Sequence, residues 1–275
     1  MPFVTVGKRR LEYALIPARS ATAPTLLLLH EGLGSLAMWR DFPARLAAAT
    51  GAATLVYSRL GYGKSDRLAA PRRVDYMHEE ALETLPALRG ALGIADPILV
   101  GHSDGASIAL IHAGAGRWPM RGLILEAPHV FVEDVSIASI AAAREAYATT
   151  DLRARLARYH DDVDGAFRGW NDIWLDPAFR RWNIESYLSA IDCPTLVIQG
   201  EDDEYGTTAQ LDAIAAKIGG PAETLLLPDC KHSPHRDQPE ATLAAMARFV
   251  ARAAEEAAKL PLPRGPLTPP ASPGA

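Results

Sequence analysis

The stretch Leu99-Val100-Gly101-His102-Ser103-Asp104-Gly105-Ala106-Ser107 constrains this chain more than any other. An apolar strand runs directly into Gly-x-Ser-x-Gly, and a helical stretch, residues 106–113, follows. A serine at so sharp a strand-to-helix turn is forced into a strained backbone conformation. Side chains two residues before and after it would collide, so glycine is required at 101 and 105. The turn lifts the hydroxyl above the C-terminal edge of a parallel sheet, where folds of that class bind ligands. The helix behind it aims free N–H groups and its positive end at developing negative charge. The same letters inside a loop would be only a Gly/Ser-rich turn. The strand before and the helix after make Ser103 a candidate nucleophile.

The rest of the chain supplies the sheet that such a turn needs. Residues 3–6 and 11–16, with Gly7-Lys8-Arg9-Arg10 between them, read as a hairpin. Short apolar runs then alternate with helical periodicity: 25–29, 53–57, 97–100, 122–125, 195–199 and 223–227. Continuous Leu/Val/Ile runs without polar alternation suit strands covered on both faces. Leu211, Ile214, Ala215 and Ile218 follow helical spacing, with Gly219 placed to end that helix, and Leu243, Met246, Val250 and Ala254 repeat the stripe. The helix over residues 75–92 is interrupted by Pro86. This rhythm predicts an α/β fold, a mostly parallel central sheet flanked by helices.

The rhythm breaks between Val130 and Ile191, where helical signals dominate (139–147, 151–159 and 164–174). An all-helical insertion at about residues 131–190 would form a cap over one edge of the sheet. It carries Arg168, Trp170, Trp174 and Trp182, which either line a pocket or hold the cap together, the second being the expectation for each alone. The domain is expected to span 1–257. Residues 258–275, rich in Pro, Gly, Ser and Thr, cannot bury a core and are expected to be a disordered tail.

With 275 residues, 48% of them apolar, the chain can bury the core of one such domain. A formal net charge of −5, with acids and bases interspersed, leaves no basic footprint for nucleic acid. The run Leu26–Leu29 is too short to span a bilayer, and no signal peptide precedes it, so a cytoplasmic protein without membrane contacts is expected. The two cysteines, Cys193 before one strand and Cys230 after the next, would lie at opposite ends of neighbouring parallel strands, too far apart for a disulfide. No metal-ligand spacing or phosphate loop is present, so neither metal nor cofactor is expected. The partner expected is a small-molecule substrate, with a homo-oligomer left open.

Four separated motifs resemble the α/β-hydrolase superfamily, in its capped serine-hydrolase form, over residues 20–255. His30-Glu31-Gly32-Leu33-Gly34 follows the first core strand as the family's oxyanion loop does. Ser58-Arg59-Leu60-Gly61-Tyr62-Gly63-Lys64-Ser65-Asp66 is similar to the family's Arg-x-x-Gly-x-Ser stretch. Gly101–Gly105 resembles its nucleophile elbow, and Gly200-Glu201-Asp202-Asp203 with Lys231-His232 resembles its acid and base segments.

A serine hydroxyl needs a base, and the base needs its tautomer fixed. Four consecutive acids, 201–204, leave the orienting carboxylate open on chemistry alone. The resemblance, which puts the acid about three residues after the glycine, implies Asp203, with Asp202 as the fallback. It implies His232 as base over the nearby His235, although lysine replaces the family's glycine at 231. For the oxyanion it implies the backbone N–H of Asp104 and a second donor from Gly32 or Leu33, Gly32 being preferred. Glu31 either meets substrate or braces its loop, the second being the simpler reading. Among the other histidines, His112 is expected to pack, His30 to be structural, and His129 and His160 are the two that could face substrate. The expected activity is hydrolysis of a small carboxylic ester or lactone through an acyl-enzyme. The alternatives are carbon–carbon hydrolysis of ring-fission products and a non-hydrolytic receptor of the same fold. An aspartate in place of Ser103 would have pointed to a dehalogenase or epoxide hydrolase.

Overall fold

The computed structural model describes residues 2–19 and 23–259. Eight strands form one sheet in the order β1-β2-β4-β3-β5-β6-β7-β8. They are β1 (Phe3–Val6), β2 (Arg9–Ile16), β3 (Thr25–Leu29), β4 (Ala53–Tyr57), β5 (Pro97–His102), β6 (Gly122–Glu126), β7 (Thr195–Gly200) and β8 (Ala222–Leu227). The β1/β2 and β2/β4 pairs are antiparallel and all others parallel. The opening hairpin is tighter than its sequence suggests. Val6 pairs with Arg9, and Gly7 at φ 61° makes a two-residue turn possible.

Apolar strands with no polar alternation can serve two covered faces because successive side chains point in opposite directions. Leu27, Leu29, Leu55, Tyr57, Leu99, Leu123, Leu125 and Val197 join the core on one face. Their immediate neighbours Leu26, Leu28, Val56, Ile98, Val100, Ile124, Leu196 and Ile198 join the core on the other. The second core is closed by α1 (Phe42–Thr50) and by the long C-terminal helix, through Phe42, Leu46, Met246, Phe249 and Val250. β8 departs from the expectation of two covered faces. As an edge strand it has only Leu227 buried, and Leu226 is exposed.

On the first face lie α2 (Tyr76–Glu79), a π-helical turn (Glu80–Thr84), α3 (Leu85–Ala91) and α4 (Asp104–Gly114). The π turn is the structural answer to Pro86, which has no N–H to donate to the preceding turn.

Between β6 and β7 the chain leaves the sheet for α5 (Asp134–Thr149), α6 (Leu152–Leu156), α7 (Val163–Trp174) and two 3-10 turns, Phe179–Arg181 and Glu185–Ala190. An isolated bridge, Phe131 to Asn183, closes the base of this excursion. Helix α8 (Thr208–Lys217), the short α9 (Pro234–Asp237) and α10 (Pro239–Lys259) complete the chain. The helix α10 runs two residues into the span expected as a tail, and residues 260–275 lie outside the described residues. Both cysteines are buried and free, and burial pushes each thiol up to about 12. Among the described residues no helix is long and apolar enough to cross a membrane.

Candidate active site

The parallel register aligns the C-terminal ends of the strands, with Leu29 opposite Gly101, His102 opposite Glu126, and Gly200 opposite Leu227. The loops after β3, β5, β7 and β8 therefore leave from one edge. The strand order reverses between β3 and β5, the position in an open α/β sheet where a crevice forms.

Ser103 occupies the turn from β5 to α4 at φ 53° and ψ −118°, a left-handed conformation that side chains rarely adopt. A Cβ at position 101 would lie 2.5 Å from the Ala106 Cα, and one at 105 would overlap the carbonyl of Leu29. Both glycines are thus fixed by backbone passing against backbone. The strain is held by the Ser103 N–H donating to the Glu126 carbonyl at 2.9 Å.

The loops after β7 and β8 are zipped together by Glu201 N–H to Leu227 O and Asp202 N–H to Cys230 O, each 2.9 Å. This brings His232 between the other two groups. Its Nδ1–H donates to Asp203 Oδ1 at 2.8 Å, leaving the Nε2 lone pair to accept from the Ser103 hydroxyl at 2.9 Å. Asp203 Oδ1 also accepts from Tyr205 N–H at 2.8 Å and Gly206 N–H at 3.3 Å. Burial opposes ionisation of Asp203, but the facing imidazole and these donors outweigh it and hold the carboxyl below its ordinary range. Asp202 is exposed and its side chain touches none of this, so of the four acids it is Asp203 that meets the imidazole. His235 lies elsewhere, its Nδ1 2.7 Å from Glu126 Oε2 in a buried pair.

The backbone N–H of Asp104, the first residue of α4, has no carbonyl one turn behind it. Across the crevice, the N–H groups of Gly32 and Leu33 donate to no protein group among the described residues. Their loop is tied down from behind. The buried Arg59 gives its backbone N–H to His30 Nε2 (3.0 Å) and its guanidinium to the carbonyls of His30 (3.3 Å) and Glu31 (2.8 Å). His30 returns Nδ1–H to the Glu31 carbonyl at 2.7 Å, and His160 bridges Gly63 N–H and Leu33 O. His30 and His160 are therefore structural, and His160 does not line the crevice. The side chain of Glu31 faces His102 Nδ1 at 3.5 Å, while His102 Nε2–H donates to the His232 carbonyl at 2.7 Å. Burial works against charge on both, yet their pairing raises the His102 imidazole and keeps Glu31 well below the ordinary carboxyl range. Glu31 thus braces the loop of His232 through His102 and also lines the crevice.

No pattern in the sequence signals a role for the side chain of Asp104. It is buried beside Ser103, accepting from Tyr76 OH at 2.6 Å and Trp174 Nε1 at 3.2 Å, with Arg59 3.8 Å away. Its partners come from three distant segments, which is why no local pattern announces them.

Above these groups lies a cavity of about 280 Å³. Ser103, Gly32, Leu33 and His232 meet there with His129, Trp170 and Trp174. Trp170 and Trp174 are one turn apart on α7 and so share the face it presents to the sheet edge. Trp182 instead stacks on Phe179, and Arg168 lies on a separate surface groove. Among the described residues no group of three or more His, Cys, Asp or Glu side chains is arranged to hold a metal ion.

A family model described as "Alpha/beta hydrolase family" matches residues 26–245. A non-heme haloperoxidase of Rhodococcus erythropolis is 25% identical over 212 residues, 65% of this chain and 74% of that protein. Among solved structures, proline iminopeptidase of Mycobacterium smegmatis superposes with a TM-score of 0.75 at 19% identity, covering 93% of this chain and 99% of the other. The 2-hydroxy-6-oxo-6-phenylhexa-2,4-dienoate hydrolase of Rhodococcus sp. strain RHA1 gives 0.73 at 15% identity, covering 91% and 97%. At such identities the two structures share the fold.

Proposed function

Because the chain belongs to the alpha/beta hydrolase family, we propose that it is a serine hydrolase of small carboxylic esters or lactones, with Ser103 as nucleophile, His232 as general base and Asp203 as its orienting acid. One observation carries this reading. The Ser103 hydroxyl, His232 and Asp203 form an unbroken hydrogen-bonded row, 2.9 Å and 2.8 Å, opening into a cavity sized for a small molecule.

In the proposed reaction the Ser103 hydroxyl attacks the substrate carbonyl carbon as His232 Nε2 takes its proton. The resulting imidazolium is stabilised by Asp203, whose carboxylate also keeps Nδ1 protonated so that Nε2 is the basic nitrogen. The carbonyl oxygen gathers negative charge and is met by the N–H of Asp104 and by one from Gly32 or Leu33, at the positive end of α4. Collapse expels the alcohol, which receives the proton from His232. A water molecule, deprotonated by the same imidazole, then attacks the acyl-enzyme and frees the acid and Ser103. Arg59 holds the oxyanion loop by its carbonyls, and Trp170 and Trp174 cover the site from above.

The test is turnover of a p-nitrophenyl ester of a short acid by the purified protein and by Ser103→Ala. Hydrolysis that disappears in the variant, with an unchanged circular-dichroism spectrum, is the expected result. Hydrolysis retained by Ser103→Ala overturns the reading. Labelling of Ser103 by a fluorophosphonate without turnover of any ester would leave carbon–carbon cleavage, assayed with a dienoic ketoacid. Absence of labelling would point to a passive binding protein.

A further inference from the structure

His129 is the one histidine lining the cavity that the proposed mechanism does not use in its chemistry or in bracing the loops. It is 2% exposed, and among the described residues neither ring nitrogen bonds to a protein group; Nδ1 is completely enclosed on the Gly206 side, which leaves Nε2 as the nitrogen open to the cavity. Its backbone, by contrast, is fixed twice by one side chain. Ser107 Oγ donates to the His129 carbonyl at 2.7 Å and lies 3.3 Å from its N–H. The ring is wedged between Trp174 (centroids 5.2 Å apart) and His232 (5.7 Å). On the third side Gly206 admits it, since a Cβ there would lie 3.2 Å from the imidazole Cε1. A buried polar group without a partner is costly, and native proteins rarely keep one unless something outside the resting fold completes it.

The placement says what that something is. The His232 imidazole must return its proton to the departing alcohol, so that alcohol lies on the His232 side of Ser103, where His129 also stands. Gly32 of the oxyanion loop lies instead against Trp170. We propose that His129 is a specificity residue that hydrogen-bonds the leaving group, and that the substrate is an ester whose departing alcohol carries a second, uncharged oxygen next to the ester linkage, as in a monoester of a short diol or polyol. This rests on the proposed roles of Ser103 and His232. Burial, together with the neighbouring His232, lowers the His129 imidazole to about 3, so at neutral pH it offers one N–H and one lone pair. A hydroxyl, being donor and acceptor, complements either. Glu31 and Glu204 line the same cavity and Asp203 stands near His129, so, with Arg236 out at the exposed rim, the surroundings of the ring disfavour an anionic group.

The experiment compares kcat/KM for 2-hydroxyethyl butyrate and propyl butyrate, which share the acyl group and nearly the same leaving-group shape. The wild-type protein is expected to favour the hydroxyethyl ester by about tenfold, the value of one net hydrogen bond. In His129→Leu the ratio is expected to fall to near one, and in His129→Gln, which restores an N–H donor, part of it should return. Turnover of both esters by the wild type at equal kcat/KM overturns the inference and leaves the hydrolase reading standing. So does a preference that survives in His129→Leu. Turnover of neither ester, nor of the p-nitrophenyl ester, overturns both.

Discussion

Asp203 and Asp202 are adjacent and chemically identical, yet they face different surroundings. The first is enclosed and accepts from the His232 imidazole and two backbone N–H groups, whereas the second is exposed. Asp203→Asn is expected to lower kcat on ester substrates by on the order of 10⁴, because the amide presents its own donor to Nδ1 and favours the wrong tautomer. Asp202→Asn is expected to stay within about twofold, as for surface changes away from the site. Steady-state kinetics on the two purified variants checks both. The contrast marks what single residues reveal in advance. Gly101 and Gly105 are legible because backbone packing against the Ala106 Cα and the Leu29 carbonyl leaves no room for a side chain. The choice among four acids is not legible without a resemblance. It depends on which carboxylate a loop of seven residues turns inward, and all four have the same chemistry to offer.

At the scale of elements, helix α7 shows how a surface excursion becomes part of the site. Its buried face carries Trp170 and Trp174, and the Trp174 indole N–H reaches both Asp104 Oδ1 and the Tyr76 hydroxyl at 3.2 Å. Trp174→Phe keeps most of the apolar surface and removes that donor. The expected cost is about 1–2 kcal/mol in stability, read as a lower denaturation midpoint in urea, together with reduced kcat through the loosened elbow. Helix α8 offers a simpler test, for the Thr207 side chain caps it by accepting from Ala209 N–H at 3.2 Å. Thr207→Ala should cost about 1 kcal/mol with kinetics unchanged. The strands and long helices could be read from periodicity, because burial on two faces or on one stripe leaves a direct imprint on residue order. The docking of α7 over Asp104 could not. It is a meeting of residues 70 positions apart, decided by tertiary packing.

For the molecule as a whole, several buried histidines fit only in their neutral form, and this sets the response to acid. His112 accepts from Arg89 through Nε2 and donates through Nδ1 to the Ala81 carbonyl, both at 2.7 Å, while its ring stacks on Trp118. A second proton would set two donors face to face, and burial above all lowers its imidazole to about 4. Between pH 6.5 and pH 4 the unfolded chain therefore binds a proton at this position that the folded one refuses, and stability falls as pH falls. For His112 alone the loss by pH 4 is on the order of 3 kcal/mol. His129, His160 and His30 are lowered as well and act with the same sign. His102, raised by Glu31, acts oppositely and offsets part of the loss as long as it stays charged. Below this window Asp203 and Glu126, both held below the ordinary carboxyl range, lose their contribution as they protonate. Calorimetry should show the melting temperature dropping from pH 7 to pH 5, before the carboxyls titrate, and His112→Gln should flatten that segment of the curve.

The indole fastened to the neighbour of Ser103 also bears on traffic through the site. A lid hinged to swing clear would have to release Asp104 each time, undoing the donor it is meant to shelter. Substrate and product must then pass at the mouth, where Glu204 and Arg236 stand in solvent. What an arriving molecule meets there is a carboxylate, held by the His232 backbone N–H at 3.2 Å, beside a guanidinium, so the approach is screened by charge and not by a moving cover.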